Sequence, residues 1–378
     1  MELSDMAMAK VTSACRAGAL GVAIWLAAMM RASAQEPLGE ESGFLRMRID
    51  GRETRLESLI IRPEGIDGRL PLALITHGKS ATGSRMGDLR AVQYRSIARD
   101  LARRGWIAAI VIRRGFGQSD GPFSGAGASC GQGDMTRRFE SEAKELEAAL
   151  KTLTERSDVD PDRIIALGES AGGAAVMALA QRKPPGLKAV INVAGGLNFD
   201  ECVEKGRDAL VETIRRWPWQ ETVPQLWVYA GNDELFPPPL VDRMRAVALD
   251  RGGNVRLITL PEVKPRGHAI LQNGQARFVW LREMDASLRA WKLPTLPEGR
   301  PQAEFERLGL EKGAPAFENY FSAPGDKAMA FSKASKTFNY RYGEKDLELA
   351  RQAALAACAK KAEDCAIVFE NNRAAGPR

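Results

Sequence analysis

Residues 164–174 read Ile-Ile-Ala-Leu-Gly-Glu-Ser-Ala-Gly-Gly-Ala, and this stretch decides the fold. Its four leading apolar residues predict a short buried strand, and the Ala-, Leu- and Met-containing residues 174–182 predict a helix. The glycines at 168 and 172 predict a sharp corner between them, because a Cβ there would collide with the neighbouring strand or helix. Ser170 lies on this corner, where strained backbone exposes its hydroxyl at the edge of a sheet. Ser170 is therefore the predicted nucleophile.

The pattern Gly-x-Ser-x-Gly occurs three times, around Ser119, Ser129 and Ser170. Ser119 follows a predicted strand, but Asp-Gly-Pro at 120–122 is a turn that cannot open a helix. Ser129 lies in a glycine-rich loop with no predicted strand before it. Only Ser170 has strand, turn and helix in the order that a nucleophile corner requires.

The N-terminus has the pattern of a secretory signal peptide. Lys10 and Arg16 precede an apolar run at residues 17–30, and Ala-Ser-Ala at 32–34 is a small-residue cleavage site. The run is too short to span a bilayer comfortably, and a retained membrane anchor is the alternative. We expect cleavage after Ala34 and a periplasmic or secreted protein.

The length of the chain limits its number of domains, and its charge limits the classes of partner it can bind. Its 378 residues can form one large domain and a smaller one. The formal net charge is +6, without a concentrated basic stripe. We therefore expect no nucleic-acid partner, and no membrane association once the signal peptide is removed.

Four cysteines remain after the signal peptide: Cys130, Cys202, Cys358 and Cys365. An even number in an oxidising compartment predicts two disulfides. Of the three possible pairings we favour Cys130–Cys202 with Cys358–Cys365, because the second pair is local in the chain and apart from the first. No Cys/His cluster has zinc spacing, so we predict no metal site.

Strand and helix patterns alternate along most of the chain. Asp50-Gly51 joins predicted strands at 43–49 and 55–62 as a hairpin. Further strands are predicted at 72–76, 106–112, 164–167, 188–193, 225–230 and 254–260, and helices at 89–104, 139–154, 174–182, 240–251 and 275–291. This alternation predicts an α/β fold, with a mostly parallel sheet, helices on both faces and the hairpin as an antiparallel edge.

A proline-containing linker at residues 294–301 divides the chain. We expect the signal peptide at 1–34, a catalytic domain at 35–297 and a small C-terminal α+β module at 298–378. The module has predicted strands at 328–331, 337–342 and 366–370 and a helix at 346–360.

A serine alkoxide forms only if a base takes the proton, and near neutral pH that base is usually histidine. The chain has two histidines, His77 and His268. His268 lies in a glycine-flanked loop after the last strand of the predicted sheet, so we expect it to be the base. His77 belongs to a His-Gly corner upstream of the serine, and we favour a structural role for it, bracing its loop.

The third member of a triad is a carboxylate that orients the imidazole. Asp233 follows the strand at 225–230, and the order Ser170, Asp233, His268 is the nucleophile–acid–base order of such sheets. Glu234 and Asp200 are the competing carboxylates.

Acyl transfer also needs hydrogen-bond donors for the developing oxyanion. The backbone N–H of Ala171, the residue after the nucleophile, is one predicted donor. The second is expected from the loop after His77-Gly78, with the N–H of Lys79 preferred over that of Ser80.

Several motifs resemble the α/β-hydrolase superfamily and, in detail, its exported dienelactone-hydrolase-like branch. The matching residues are His77-Gly78, Arg-Gly-Phe-Gly-Gln-Ser-Asp-Gly at 114–121, Gly-Glu-Ser-Ala-Gly-Gly at 168–173, Gly-Asn-Asp at 231–233 and Gly267-His268. The resemblance implies a serine hydrolase without a cofactor, acting on a small-molecule carboxylic ester or related acyl compound. Intracellular dienelactone hydrolases use a cysteine nucleophile, whereas position 170 is serine, which favours an esterase. The tail from about Pro301 resembles a module, of unknown partner, appended to some exported relatives.

Residues 195–223 are predicted to be an irregular insert near the active site. Trp217 and Trp219 are candidates for a substrate pocket, and their alternative role is to pack the insert onto the body. Two other functions stay open. One is a serine peptidase of the prolyl-oligopeptidase type, and the other is a non-catalytic binding protein with a hydrolase fold.

Overall fold

The computed structural model describes residues 38–79, 85–125, 129–199, 201–296 and 300–375. The predicted signal peptide, its cleavage site after Ala34, Ser80, Asp200 and the domain boundary at 297 lie outside these residues. No helix in the described part of the chain has the length and apolar character needed to cross a membrane.

The larger sheet has eight strands within the described residues, in the order β1-β2-β4-β3-β5-β6-β7-β8. The strands are β1 Leu38–Ile49, β2 Arg52–Pro63, β3 Leu70–Thr76, β4 Ile107–Val111, β5 Val159–Glu169, β6 Leu187–Val193, β7 Gln225–Ala230 and β8 Val255–Leu260. The pairs β1–β2 and β2–β4 are antiparallel, and the others are parallel. Asp50 and Gly51 both have positive φ, as a two-residue hairpin turn requires.

Six helices in the described residues flank this sheet. They are α1 Arg95–Ala102, α2 Gln132–Thr154, α3 Ala171–Gln181, α4 Val203–Arg216, α5 Pro238–Asp250 and α6 Gly274–Ala290. Every residue of β3 and of β4 is buried, and successive side chains of a strand point to opposite faces. Both faces of the sheet centre are therefore covered, which confirms the predicted fold class.

The C-terminal region forms a separate, smaller antiparallel sheet with the order β10-β9-β11-β12. Its elements are α7 Arg300–Arg307, α8 Ala314–Ser322, β9 Ala328–Ser332, β10 Thr337–Arg341, α9 Leu347–Ala359, β11 Cys365–Glu370 and β12 Arg373–Ala374. An aromatic cluster that includes Phe317, Tyr320 and Phe369 fills its core. Arg99 and Arg103 of α1 both form ion pairs with Asp326, which joins the two parts.

One local prediction is wrong. Residues 195–223 were expected to be irregular, but they contain the helix α4. Gly206, a poor helix former, lies inside it. A Cβ at this position would lie 3.3 Å from the Phe199 ring, so glycine lets the helix pack closely. Leu210 and Ile214 on the same face are buried.

Candidate active site

Ser170 occupies a strained corner between β5 and α3. Its φ of 53° and ψ of −121° lie outside the helical and extended regions. A Cβ on Gly168 would overlap the carbonyl of Gly172, and one on Gly172 would overlap the carbonyl of His77. The Ser170 N–H donates to the Val193 carbonyl at 2.9 Å, which ties the corner to β6. The steric reason for glycine in the motif therefore holds in the structure.

His268 and Asp233 meet Ser170 at the carboxyl ends of the parallel strands. His268 Nε2 lies 3.0 Å from Ser170 Oγ. Its Nδ1 lies 3.1 Å and 3.2 Å from the two carboxylate oxygens of Asp233. When Nδ1 donates to the carboxylate, Nε2 has a free lone pair directed at the serine hydroxyl. The arrangement can therefore move a proton from Oγ to the imidazole.

Asp233 is held by its own loop. The residue is buried, and its Oδ1 accepts the backbone N–H groups of Leu235 and Phe236, both at 3.0 Å. The competing Glu234 instead extends outward, where it pairs with Arg266. The structure places Asp233, not Glu234, against the imidazole.

The other two motif serines have different partners. Ser119 Oγ donates to the Ile112 carbonyl at 2.6 Å and accepts the Glu57 N–H at 2.9 Å. Ser129 Oγ is hydrogen-bonded to Asp134. These hydroxyls support their own loops.

His77 is fully buried, and both of its ring nitrogens are bound. Nε2 lies 2.9 Å from the backbone N–H of Arg113 and must accept it, so Nδ1 carries the proton and donates to the Gly78 carbonyl at 2.6 Å. Burial, together with the charge of Arg113, lowers the pKa of His77 well below 6.5. His77 therefore braces its loop as a neutral ring.

The hydrogen bond from His77 to the Gly78 carbonyl also orients the backbone N–H of Lys79. Carbonyl and N–H point in opposite directions across a trans peptide. Because the Gly78 carbonyl faces the His77 ring, the Lys79 N–H is directed away from that ring. A Cβ on Gly78 would lie 3.0 Å from the Ser170 Cβ, so this loop passes directly beside the nucleophile. Ala171, the other predicted oxyanion donor, begins helix α3.

Sequence analysis missed two polar residues beside the corner. The buried Tyr94 hydroxyl donates to Glu169 Oε2 at 3.0 Å and accepts the Gly78 N–H at 3.3 Å. Burial raises the pKa of both side chains. Glu169 stands within the quoted motif, and only its position before Ser170 could have drawn attention to it.

The structure shows the packing of Trp217 and Trp219, for which two roles were left open. The Trp219 ring is buried, and its N–H donates to the Ile214 carbonyl at 2.8 Å. Its centroid lies 5.9 Å from that of Trp217 and 6.3 Å from that of Trp227. Trp217 also contacts Phe139 of α2, with ring centroids 5.4 Å apart. These contacts pack the end of α4 against the body, and a substrate-pocket role for the two residues stays a prediction.

Both favoured cysteine pairs are disulfides in the structure. Cys130–Cys202 has a Cα–Cα distance of 6.3 Å and joins the loop before α2 to the start of α4. Cys358–Cys365 has a Cα–Cα distance of 6.0 Å and closes a short loop in the C-terminal module. Within the described residues, no group of three or more His, Cys, Asp or Glu side chains is arranged to hold a metal ion.

Comparisons with known proteins concern both sequence and fold. Residues 85–233, which include Ser170 and Asp233, match a family model described as serine aminopeptidase, S33. No curated protein sequence matches the chain.

Three solved structures are among those to which this chain is similar. A candidate dienelactone hydrolase from Klebsiella pneumoniae is 17% identical, covering 66% of this chain and 98% of its own, with a TM-score of 0.45. A dienelactone hydrolase-like promiscuous phosphotriesterase from metagenomic libraries is 18% identical, covering 76% and 99%, with a TM-score of 0.44. The acylaminoacyl peptidase of Pyrococcus horikoshii is 14% identical, covering 74% and 44%, with a TM-score of 0.48.

The family model, the mostly parallel sheet and the strand–corner–helix around Ser170 agree with one another. Together they show an α/β-hydrolase fold, and over residues 85–233 the chain is similar to the serine aminopeptidase S33 family.

Proposed function

We propose that this protein is an exported serine esterase that cleaves carboxylic esters through an acyl-enzyme on Ser170. One observation carries the proposal: Ser170 Oγ, the His268 ring and the Asp233 carboxylate form a continuous hydrogen-bonded series. The two disulfides support export, because such bonds persist in oxidising compartments.

Each of the three side chains has a role in the proposed reaction. His268 Nε2 takes the Ser170 proton as Oγ attacks the ester carbonyl, and the resulting imidazolium gives that proton to the leaving alcohol. Asp233 fixes the imidazole tautomer and stabilises its positive charge. Water, activated by the same imidazole, then releases the acid from Ser170.

The N–H groups of Ala171 and Lys79 are the proposed oxyanion donors. The start of helix α3 and the orientation of the Gly78–Lys79 peptide support this assignment. Donors of this kind contribute about 3–4 kcal/mol each to transition-state stabilisation.

A serine peptidase is the second candidate function, because the matching family model is described as a serine aminopeptidase. The serine chemistry is identical, so only the substrate distinguishes the two. The resemblance to the dienelactone-hydrolase-like branch, with serine as nucleophile, favours the ester.

Labelling with a fluorophosphonate probe tests the proposed nucleophile. We expect one probe per chain on Ser170, located by mass spectrometry, and none on Ser170→Ala. Ser129→Ala, in the same Gly-x-Ser-x-Gly pattern, is the matched control and should label like the wild type. Absence of labelling in the folded wild type would identify a non-catalytic protein.

A substrate panel then separates the two enzymatic functions. Short-chain aryl esters and aminoacyl anilides are compared by kcat/KM with the same preparation. An esterase turns over the esters far faster than the anilides. Efficient anilide cleavage that requires Ser170 would replace the esterase proposal with the peptidase.

A further inference from the structure

Glu169 is a buried carboxylate that the proposed reaction does not use. It is the last residue of β5, directly before the nucleophile, and is only 8% exposed. Burying a carboxylate is costly unless partners compensate for the lost water. Its Oε2 accepts the Tyr94 hydroxyl at 3.0 Å, and the Gln272 side chain also hydrogen-bonds it.

Tyr94 connects Glu169 to the loop that contains Gly78 and Lys79. A hydroxyl has one proton to donate and lone pairs with which to accept. An ionised carboxylate can only accept, so the Tyr94 proton points to Glu169 and the oxygen accepts the Gly78 N–H at 3.3 Å. The carbonyl of the same glycine is bound by His77. Both polar groups of Gly78 are thereby fixed beside Ser170.

Glu169 also lies close to the proposed base. It directly precedes Ser170, whose Oγ lies 3.0 Å from His268 Nε2, and the side chain of Gln272, on the segment that follows His268, hydrogen-bonds Glu169. Burial raises the pKa of Glu169, and an ionised carboxylate at this position favours the protonated imidazole. The charge of Arg113, which follows β4, opposes the effect of burial on the pKa of Tyr94.

We propose that Tyr94 and Glu169 are positioning residues of this active site. Glu169 stabilises the imidazolium that forms on His268, and Tyr94 holds the loop whose Lys79 N–H receives the oxyanion. The inference rests on the proposed serine hydrolase function and extends it, because it assigns two residues outside the triad to the transition state.

Two substitutions separate these effects. Glu169→Gln keeps a side-chain oxygen for the Tyr94 hydroxyl but removes the charge near His268. Tyr94→Phe keeps the ring and the charge of Glu169 but removes the link to Gly78. Glu147→Gln and Tyr342→Phe are the matched controls, because Glu147 pairs with Arg182 and the Tyr342 hydroxyl donates to Gln275.

The measurement is the rate of inactivation by a fluorophosphonate as a function of pH, with thermal unfolding of each variant alongside. The rate should fall at low pH, where the His268 base becomes protonated, and we call this part of the profile the acid limb. In Glu169→Gln, we expect the acid limb to move to lower pH by about 0.5 unit or more, because the negative charge that favours the imidazolium is gone. In Tyr94→Phe, we expect inactivation about tenfold slower at every pH, with the acid limb unmoved. Both controls should follow the wild type.

The outcomes are distinct from those of the proposed function. A wild type that reacts at Ser170, with both variants folded and matching its rates and acid limb, would overturn the positioning roles and leave the esterase intact. Slower labelling without any change in the acid limb of Glu169→Gln would overturn the electrostatic role of Glu169. A wild type that does not react at Ser170 overturns the proposed function, and the positioning roles with it.

Discussion

The loops after β3 and β8 each bring one histidine to the same edge of the sheet, yet the two rings have opposite environments. His77 is fully buried, and both nitrogens are bound to backbone groups. His268 has a side chain 15% exposed, with Asp233 on one nitrogen and Ser170 on the other.

The difference shows how partners determine what an imidazole can do. The backbone N–H of Arg113 occupies the lone pair of His77, and burial opposes a charge on the ring. His77 therefore remains neutral and contributes to structure. The lone pair of His268 faces a hydroxyl, and Asp233 supports the charge that results when it takes a proton.

Removing the His268 imidazole should have the largest effect on catalysis. We expect His268→Ala to lower kcat/KM for an aryl ester by about 10⁴-fold or more, because the alkoxide loses its base. The thermal midpoint should change little, since the ring is partly exposed. Ester hydrolysis and thermal unfolding on one preparation measure both. Retained turnover in this variant would exclude His268 as the base.

Asp233→Asn removes the carboxylate that supports His268 and that His77 lacks. An amide in this position can donate to Nδ1 and thereby place the imidazole proton on Nε2, where it cannot accept from Ser170. We expect kcat to fall by about 10³- to 10⁴-fold with KM nearly unchanged. Asp250→Asn, at the end of α5, is the matched control. A loss in KM instead of kcat would assign Asp233 to substrate binding.

Much of the sheet edge that carries Ser170 could be predicted from the sequence, because the patterns that specify it are local. Gly168 and Gly172 indicate a sharp turn in which no side chain fits. The strand before this turn and the helix after it are also recognised from short stretches of sequence. The alternation of strand and helix patterns likewise predicted the mostly parallel sheet, and the Asp50-Gly51 turn between two strands predicted the hairpin. These features depend on residues within a few positions of one another.

The failures of prediction involve side-chain contacts that hydrophobic periodicity does not reveal. Tyr94 and Glu169 are 75 residues apart, and no periodicity joins them. The local sequence around Trp217 and Trp219 likewise does not reveal that the Trp219 ring packs between Trp217 and Trp227. The helix α4 was missed because Gly206 reads as a breaker until its close contact with Phe199 is known.

His77→Ala should have the opposite effects to those predicted for His268→Ala, with a large loss of stability and a small loss of activity. The substitution leaves the Gly78 carbonyl and the Arg113 N–H buried without their partner, at a cost of about 1–3 kcal/mol each. We expect the free energy of unfolding to fall by about 2–5 kcal/mol, measured with denaturant. The folded fraction should still react at Ser170, about tenfold more slowly, because the Gly78–Lys79 peptide loses one of its two anchors. Unchanged stability with activity reduced as far as in His268→Ala would contradict a structural role for His77.

The pH dependence of stability provides the smallest and most specific test of the buried ring. Because burial lowers the pKa of His77, the unfolded chain binds a proton there below about pH 6.5, whereas the folded protein does not. The unfolded state then holds more protons, so this group makes the free energy of unfolding fall as the pH decreases from 6.5 toward the folded pKa.

One proton contributes a slope of at most about 1.4 kcal/mol per pH unit. Burial raises the pKa of Glu145 and Glu169, which acts in the opposite sense, but these contributions are common to wild type and His77→Ala. The difference in unfolding free energy between the two proteins should therefore narrow as the pH is lowered from 7.5 to 5.5. A difference that stays constant over this range would mean that the folded and unfolded states protonate position 77 equally. Burial would then not keep the His77 ring neutral in the folded protein, and the contrast drawn between His77 and His268 would fail.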